Sequence, residues 1–164
     1  DLQDARLALE SRLLARSIAE GDEDWAAAVV AAHHRLASTP TPAPDADLAE
    51  IHLWETRHDA FHAALLAGTD APWLTLFASQ ISAQLRRHHR NMLSAPDVRK
   101  QMTDDRDGTI RATYEATLGL AHHTLLMEAT LARDADLADR LLTEHVGFSK
   151  AVYEKLWPTP QKKA

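Results

Sequence analysis

The chain contains no cysteine, which excludes disulfide frameworks, thiolate nucleophiles and cysteine-based zinc sites. Any metal must therefore be held by histidine, aspartate or glutamate. Glycine is scarce, with five residues in 164, and none lies in a G-x-G or G-x-x-x-x-G-K setting, so no phosphate-binding loop is indicated. The aliphatic run at residues 26–32 is far shorter than the roughly 20 apolar residues of a membrane-spanning helix.

Positive charge is also in short supply. Eighteen Lys and Arg face 24 Asp and Glu, and the formal net charge is -6. A net negative charge disfavours binding to the phosphate backbone of DNA, so we do not expect the chain itself to bind DNA. It begins with Asp1 and shows no signal-peptide pattern, so we expect a piece of a longer protein.

Strand-forming residues are few, with five Val and four Ile, whereas Ala, Leu, Glu and Arg dominate. The composition predicts an all-α fold, a single antiparallel bundle of about six to seven helices. We expect one domain over residues 1–157 and a tail over residues 158–164. The apolar spacing predicts helices over residues 2–19, 25–37, 71–93, 109–132 and 136–157, and a further helix that is capped by Asp45 or Asp47 and runs to residue 66. Residues 91–108 are predicted to form a loop with room for one helical turn.

Four of the ten histidines lie on predicted apolar helix faces. His58 and His62 are four residues apart and therefore share one face. His123 and His145 each lie eleven residues from the turn near Asp134, so an antiparallel hairpin brings them level. If the helix of His58 packs against that hairpin, four imidazoles converge inside the bundle. Such a group suits Zn, Ni, Cu or Fe, but four core histidines satisfied by backbone carbonyls are an alternative.

Six stretches of the sequence, taken in order, form a more specific pattern. The pattern resembles the FCD effector-binding domain of GntR-family transcriptional regulators of the FadR subfamily, closest to its CsiR-like branch. The stretches are DAR with Glu10 at residues 4–10, AAHHRL at 31–36, WETRHDAFHAAL at 54–65, APWL at 71–74, residues 123–135 ending in ARDA, and LLTEH at 141–145.

This resemblance implies a domain that senses a small carboxylate metabolite at a central cavity, forms homodimers and catalyses no reaction. Operator DNA would be bound by an N-terminal winged helix-turn-helix that is absent from this chain. A regulator of this kind is expected in the bacterial cytoplasm.

The resemblance also implies a metal site with His58, His62, His123 and His145 as ligands, and zinc or nickel as the foremost ions. Many relatives carry Asp at the first position, where this chain has His58. The neighbouring Asp59 is displaced by about 100° around the helix. A site of three histidines with His58 turned aside therefore stays open.

For the effector, the resemblance points to Arg87 and Arg6 on the cavity wall, with Arg87 the better candidate and His88 as a further lining residue. A guanidinium suits this role because its fork pairs with a carboxylate through two hydrogen bonds. We expect the larger aromatic residues to pack in the core, namely Trp54, Phe61, Trp73 and Phe77.

Two other functions remain open from the sequence. The His58-Asp59 dipeptide is reminiscent of HD-type phosphohydrolases, in which case Asp59 or Glu144 would act as general base. Several histidines lie upstream, but none is a convincing partner for the dipeptide, and the apolar Phe61 nearby and the few basic residues around the pair also disfavour a hydrolase. The second alternative is a helical interaction domain without metal.

Overall fold

A computed structural model describes residues 1–43, 46–106 and 108–156 of the chain. Asp45, which was one of two candidate caps for the third helix, lies outside the described residues. Trp157 and the predicted tail at residues 158–164 also lie outside them.

The described residues form helices and no strand, as the composition predicts. The eight helices are α1 (Leu2–Glu20), α2 (Glu23–Ala37), α3 (Leu48–Leu66), α4 (Pro72–Ser94), α5 (Pro96–Thr103), α6 (Thr109–Leu118), α7 (Leu120–Leu131) and α8 (Ala135–Leu156). Two predictions need correction. The expected loop at residues 91–108 contains α5, whose first residue is a proline that suits a helix start. The predicted helix over residues 109–132 is divided into α6 and α7 because Gly119 is extended.

Aspartate side chains begin two of the helices, α2 and α3. The Asp22 carboxylate accepts a hydrogen bond from the Trp25 amide at 2.8 Å and begins α2. Asp47 begins α3 in a capping box, in which its carboxylate accepts from Ala49 and Glu50 amides and the Glu50 carboxylate accepts from the Asp47 amide. The predicted cap at Asp47 is confirmed.

One main core joins five of the helices. α1 packs against α4 and α8, α2 packs against α3 and α7, and both α6 and α7 pack against α8. Phe61 from α3 and Leu126 from α7 are fully buried there, beside Val29 from α2 and Leu142 from α8. This arrangement brings the faces of α3, α7 and α8 together at the centre of the bundle.

The spacing of apolar residues in α1 predicts a buried stripe of Leu2, Ala5, Leu9, Leu13 and Leu14, and the buried face differs from it. The structure buries Leu13 and Leu14 but leaves the other three only partly covered. In their place it buries two charged side chains, Arg6 at 7% exposure and Glu10 at 2%. Charged residues tolerate this position because Arg6 Nε donates a hydrogen bond to Glu10 Oε1 at 2.9 Å.

Two of the four expected core aromatics lie on the surface. Trp54 and Phe61 are buried as predicted, but Trp73 is 70% exposed and Phe77 is 47% exposed. Both lie on α4, and their ring centroids are 6.2 Å apart. No helix among the described residues is long and apolar enough to cross a membrane.

Candidate functional site

Four histidine rings from three helices meet between α3, α7 and α8. The ring centroids of His58 and His62 lie 4.5 Å apart, as expected for residues one turn apart on α3. Those of His123 and His145 lie 4.7 Å apart, so the two are level across the α7–α8 hairpin as predicted. The α3 pair joins the hairpin pair, because His62 lies 4.6 Å from His145 and His58 lies 5.1 Å from His123.

The geometry of this cluster can accommodate one metal ion. Each histidine offers one ring nitrogen, and these four atoms lie within 4.8 Å of one another. Nitrogens bound tetrahedrally about 2.0–2.1 Å from zinc are separated by roughly 3.3 Å. Binding an ion would require the four nitrogens to move closer together by up to about 1.5 Å.

Hydrogen bonding also fits a metal ligand set. Three of the four residues have a buried ring nitrogen with no hydrogen-bond partner in the described part of the chain, namely Nε2 of His62, Nε2 of His123 and Nδ1 of His145. His123 Nδ1 lies 2.8 Å from the Gly119 carbonyl oxygen, so it carries the proton and donates. Nε2 then carries the free lone pair, and this is the tautomer in which Nε2 can bind a metal.

Burial keeps these rings uncharged. It lowers the pKa of His62 and of His145 well below the usual histidine range, with neighbouring histidines and Arg6 acting in the same direction. Burial likewise lowers the pKa of His123 to about 3. The three imidazoles are therefore neutral at physiological pH, and neutral imidazole is the form that binds metal.

The fourth ring of the cluster is that of His58. The His58 ring faces the other three histidines and stacks on Trp54, with centroids 4.7 Å apart. One Asp59 carboxylate oxygen accepts a hydrogen bond from Arg86 Nη1 on α4, and the other lies 3.6 Å from Nδ1 of His58. The structure therefore groups four histidines, and Asp59 belongs to the neighbouring wall.

A cavity of about 330 Å³ opens beside the cluster and is large enough for a small metabolite. Its wall includes His58, His62 and His145, together with apolar side chains from α1, α3 and α4. The other ionisable residues of the wall are Arg6, Glu10, Glu55, Asp59, Arg86 and His89.

The predicted effector residues fare differently. Arg6 lines the cavity, as expected. Arg87 and His88 are exposed on α4 and do not line it, and their places are taken by Arg86 and His89. The reason is the rotation of α4 about its axis. Leu85 is buried, and residues 86 and 89 lie on the same side of the helix as Leu85, so they face the cavity.

Sequence reasoning missed Glu10, Arg86 and His89. Glu10 could have been found, since it lies one turn after Arg6 and one turn before the buried Leu13–Leu14 pair. For His89 no sequence signal distinguished it from His88. Burial lowers the pKa of His89 to about 4, so this ring is neutral as well.

Comparison with known proteins agrees with this architecture. The sequence matches the FCD domain family over residues 1–148. The HTH-type transcriptional regulator BphR of Paraburkholderia xenovorans (strain LB400) is 29% identical over 152 residues, which cover 93% of this chain and 55% of BphR. The HTH-type transcriptional repressor GlaR of Escherichia coli (strain K12) is 29% identical over 146 residues, which cover 89% of this chain and 60% of GlaR.

The chain thus spans little more than half the length of these two relatives, both of which are HTH-type transcriptional regulators. No solved structure matches it. The match along nine-tenths of the sequence and the all-helical bundle agree, and we conclude that the chain belongs to the FCD domain family.

Proposed function

We propose that this chain is the ligand-sensing domain of a GntR-type transcriptional regulator of the bacterial cytoplasm, which binds a small carboxylate beside a divalent transition metal. The observation that carries the proposal is the group of four histidine nitrogens within 4.8 Å, three of the residues having an unpartnered buried nitrogen. His58, His62, His123 and His145 would hold the ion, zinc or nickel foremost. The CsiR-like branch stays a prediction.

The metal would supply a Lewis-acidic centre that attracts and orients an effector carboxylate. Around it, Arg6 offers a guanidinium on the cavity wall, and Arg86 and His89 replace Arg87 and His88 as our candidate effector contacts. Effector binding would alter DNA binding only as far as the ligand prefers one arrangement of the full-length regulator. Operator DNA would be read by an N-terminal winged helix-turn-helix outside this chain.

A sensing role is favoured over hydrolysis. A hydrolase would need a general base beside the metal, but the Asp59 carboxylate accepts from Arg86 and Glu144 is exposed on α8. A metal-free interaction domain is disfavoured by the three unpartnered imidazole nitrogens, since such atoms are costly to bury without a ligand.

We also propose a homodimer formed through α4. Trp73, Leu76 and Phe77 are exposed on this helix, and no charged residue occurs between residues 72 and 85. An uncharged apolar face of this kind suits an isologous interface, where the same patch meets itself.

Metal content tests the ligand set. Purified without chelator, the chain should carry about one divalent ion per molecule by mass spectrometry of the metals. We expect His145→Ala to lose most of it and remain helical, since one of four ligands is removed. His34→Ala, on the exposed side of α2, is the control and should keep its metal. Full occupancy in His145→Ala would refute the assignment.

Thermal unfolding then tests the sensor. A panel of mono-, di- and tricarboxylates is added before and after chelation, and again after metal is returned. A ligand at 100 times its Kd should add about 2.7 kcal/mol to the free energy of unfolding. A carboxylate that raises Tm only with metal supports the proposal, whereas a Tm unmoved by chelation and by every carboxylate contradicts it.

A further inference from the structure

The cavity beside the histidine cluster reaches the surface along the seam between α3 and α4. Most residues of its described wall are buried or partly covered. Four small side chains of the same wall are solvent-exposed, and these are Ala63 and Ala67 on α3 and Thr75 and Ser79 on α4. Residues that line a cavity and are also exposed mark its mouth, so the cavity opens between these two helices.

Two ion pairs set the register of α3 against α4. The helices are consecutive and are joined by residues 67–71, so they run antiparallel. Arg86 pairs with Asp59, and Arg90, one turn further along α4, pairs with Glu55, one turn back along α3. These long side chains bridge the two helices and close that end of the seam.

The same register places only small side chains across the other end of the seam. One turn from Asp59 towards residues 67–71, Ala63 comes level with Ser82. One turn further, Ala67 comes level with Ala78. The axes of packed helices lie about 8–10 Å apart, and side chains of this size are too short to fill the space between them. The seam is therefore closed at one end by ion pairs and open at the other.

From this arrangement we infer that the seam between Ala63 and Ser79 is the entrance through which small solutes reach the histidine cluster. The entrance lies beside the cluster because Ala63 directly follows His62, and His62 lines the cavity. On the inner side, α1 packs against both α3 and α4 and supplies the opposite wall of the cavity. A solute that passes between the two small side chains thus meets the histidine rings without crossing the core.

The entrance faces away from the surface proposed for the homodimer. At 100° per residue, Thr75 and Ser79 lie on roughly the opposite side of α4 from Trp73 and Phe77. Dimerisation through α4 would therefore leave the seam open to solvent. The inference goes beyond the proposed sensor function, since an open route to the cavity requires no particular ion or effector.

A single thiol placed in the cavity tests this route, because the chain contains no cysteine. Ser149→Cys places it on α8, one turn after His145, at a position that is 9% exposed and lines the cavity. The rate of labelling by methyl methanethiosulfonate is followed by mass spectrometry, with chelator present so that no ion masks the thiol. The rate is measured at urea concentrations that leave it unchanged, so that the reagent enters the folded chain.

Larger side chains at the mouth should slow this labelling. In the Ser149→Cys chain we expect Ala63→Leu and Ser79→Leu each to lower the rate about threefold or more, and the two together about tenfold or more, because a narrower passage raises the barrier to entry. Both positions are exposed on helices, where leucine is a favourable residue. Ala60→Leu makes the same change at an exposed position of α3 that does not line the cavity, and should keep the labelling rate within about twofold.

The labelling rates decide whether the seam is the entrance. A rate that falls in the double variant and not in Ala60→Leu supports the inference. An unchanged rate in the folded double variant overturns it, as does a Ser149→Cys thiol that stays unlabelled while the exposed thiol of Ala60→Cys reacts. If the double variant does not fold, the two single variants decide, and unchanged rates in both overturn the inference.

Discussion

At the scale of single residues, the buried histidines of the cluster pack in the core and are also the proposed metal ligands. Both roles require the uncharged ring, which acid would protonate. The rings of His123 and His145 are nearly inaccessible to solvent, and burial holds their pKa values far below the usual range. Neutral rings pack as core groups and present lone pairs to a metal. The same neutrality makes the folded state sensitive to protons, because an unfolded histidine takes up a proton near pH 6.5.

We therefore expect the metal-free chain to lose stability as the pH falls below about 6.5. The folded pKa is lowered, to about 3 for His123, so between these values only the unfolded state binds the proton. The free energy of unfolding should fall by about 1.4 kcal/mol per pH unit for each imidazole that stays neutral. Urea unfolding after chelation, at pH 7, 6 and 5, measures the slope.

Removing one titrating ring tests this assignment. His123→Leu should lower the slope by about 1.4 kcal/mol per pH unit. Thr130→Val, at another buried α7 position without a titrating group, should change the stability and leave the slope as it is. A free energy of unfolding that is independent of pH between 5 and 7 would contradict the neutral, buried state of these rings.

At the scale of the helical elements, Trp25 joins the ends of three helices. Its indole Nε1 donates to the Ala64 carbonyl at 2.9 Å, and the Arg133 guanidinium lies 4.9 Å above its ring. Gly21 after α1 and Gly68 after α3 both approach it closely. Neither glycine has a left-handed backbone: Gly21 has φ -63, and among the described glycines only Gly108 has a positive φ. The close approach is what requires glycine at these positions.

Alanine substitutions at Gly68 and Gly147 distinguish the effect of close packing from the general preference of a helix for alanine over glycine. A Cβ at Gly68 would lie 2.8 Å from the Ser17 carbonyl oxygen and 2.9 Å from Trp25, so Gly68→Ala should destabilise the chain by about 1–3 kcal/mol. A Cβ at Gly147, inside α8, would meet nothing within 4 Å. Gly147→Ala should stabilise by about 0.5–1 kcal/mol. Urea unfolding measures both, and a neutral Gly68→Ala would contradict the packing argument.

At the scale of the whole molecule, the exposed face of α4 is the strongest candidate for self-association. Trp73→Glu places a charge at the centre of the proposed interface, so it should shift the chain from dimer to monomer in analytical ultracentrifugation. Val30→Glu, at a 49% exposed position on α2, is the matched control and should leave the dimer unchanged. A dimer of unchanged Kd in Trp73→Glu would exclude this face as the interface.

Much of the fold follows from local chemistry that the sequence displays. Asp22 and Asp47 begin helices because their carboxylates can accept from free amides, and this preference needs no tertiary contact. His123 and His145 lie at the same height along the α7–α8 hairpin because each is the same number of residues from the turn between the two helices. The pairing of His58 with His62 follows from one helical turn of separation. These features were therefore predictable.

What the sequence determined by itself is an all-helical domain with four inward histidines at matched heights, because helix periodicity is a local property. Only the tertiary structure decided that α3 joins the α7–α8 hairpin. It also decided that Arg86 and His89 line the cavity in place of Arg87 and His88, and that Trp73 is exposed. These outcomes depend on how helices rotate against one another, and a rotation of about 100°, one residue, exchanges a wall residue for a surface residue.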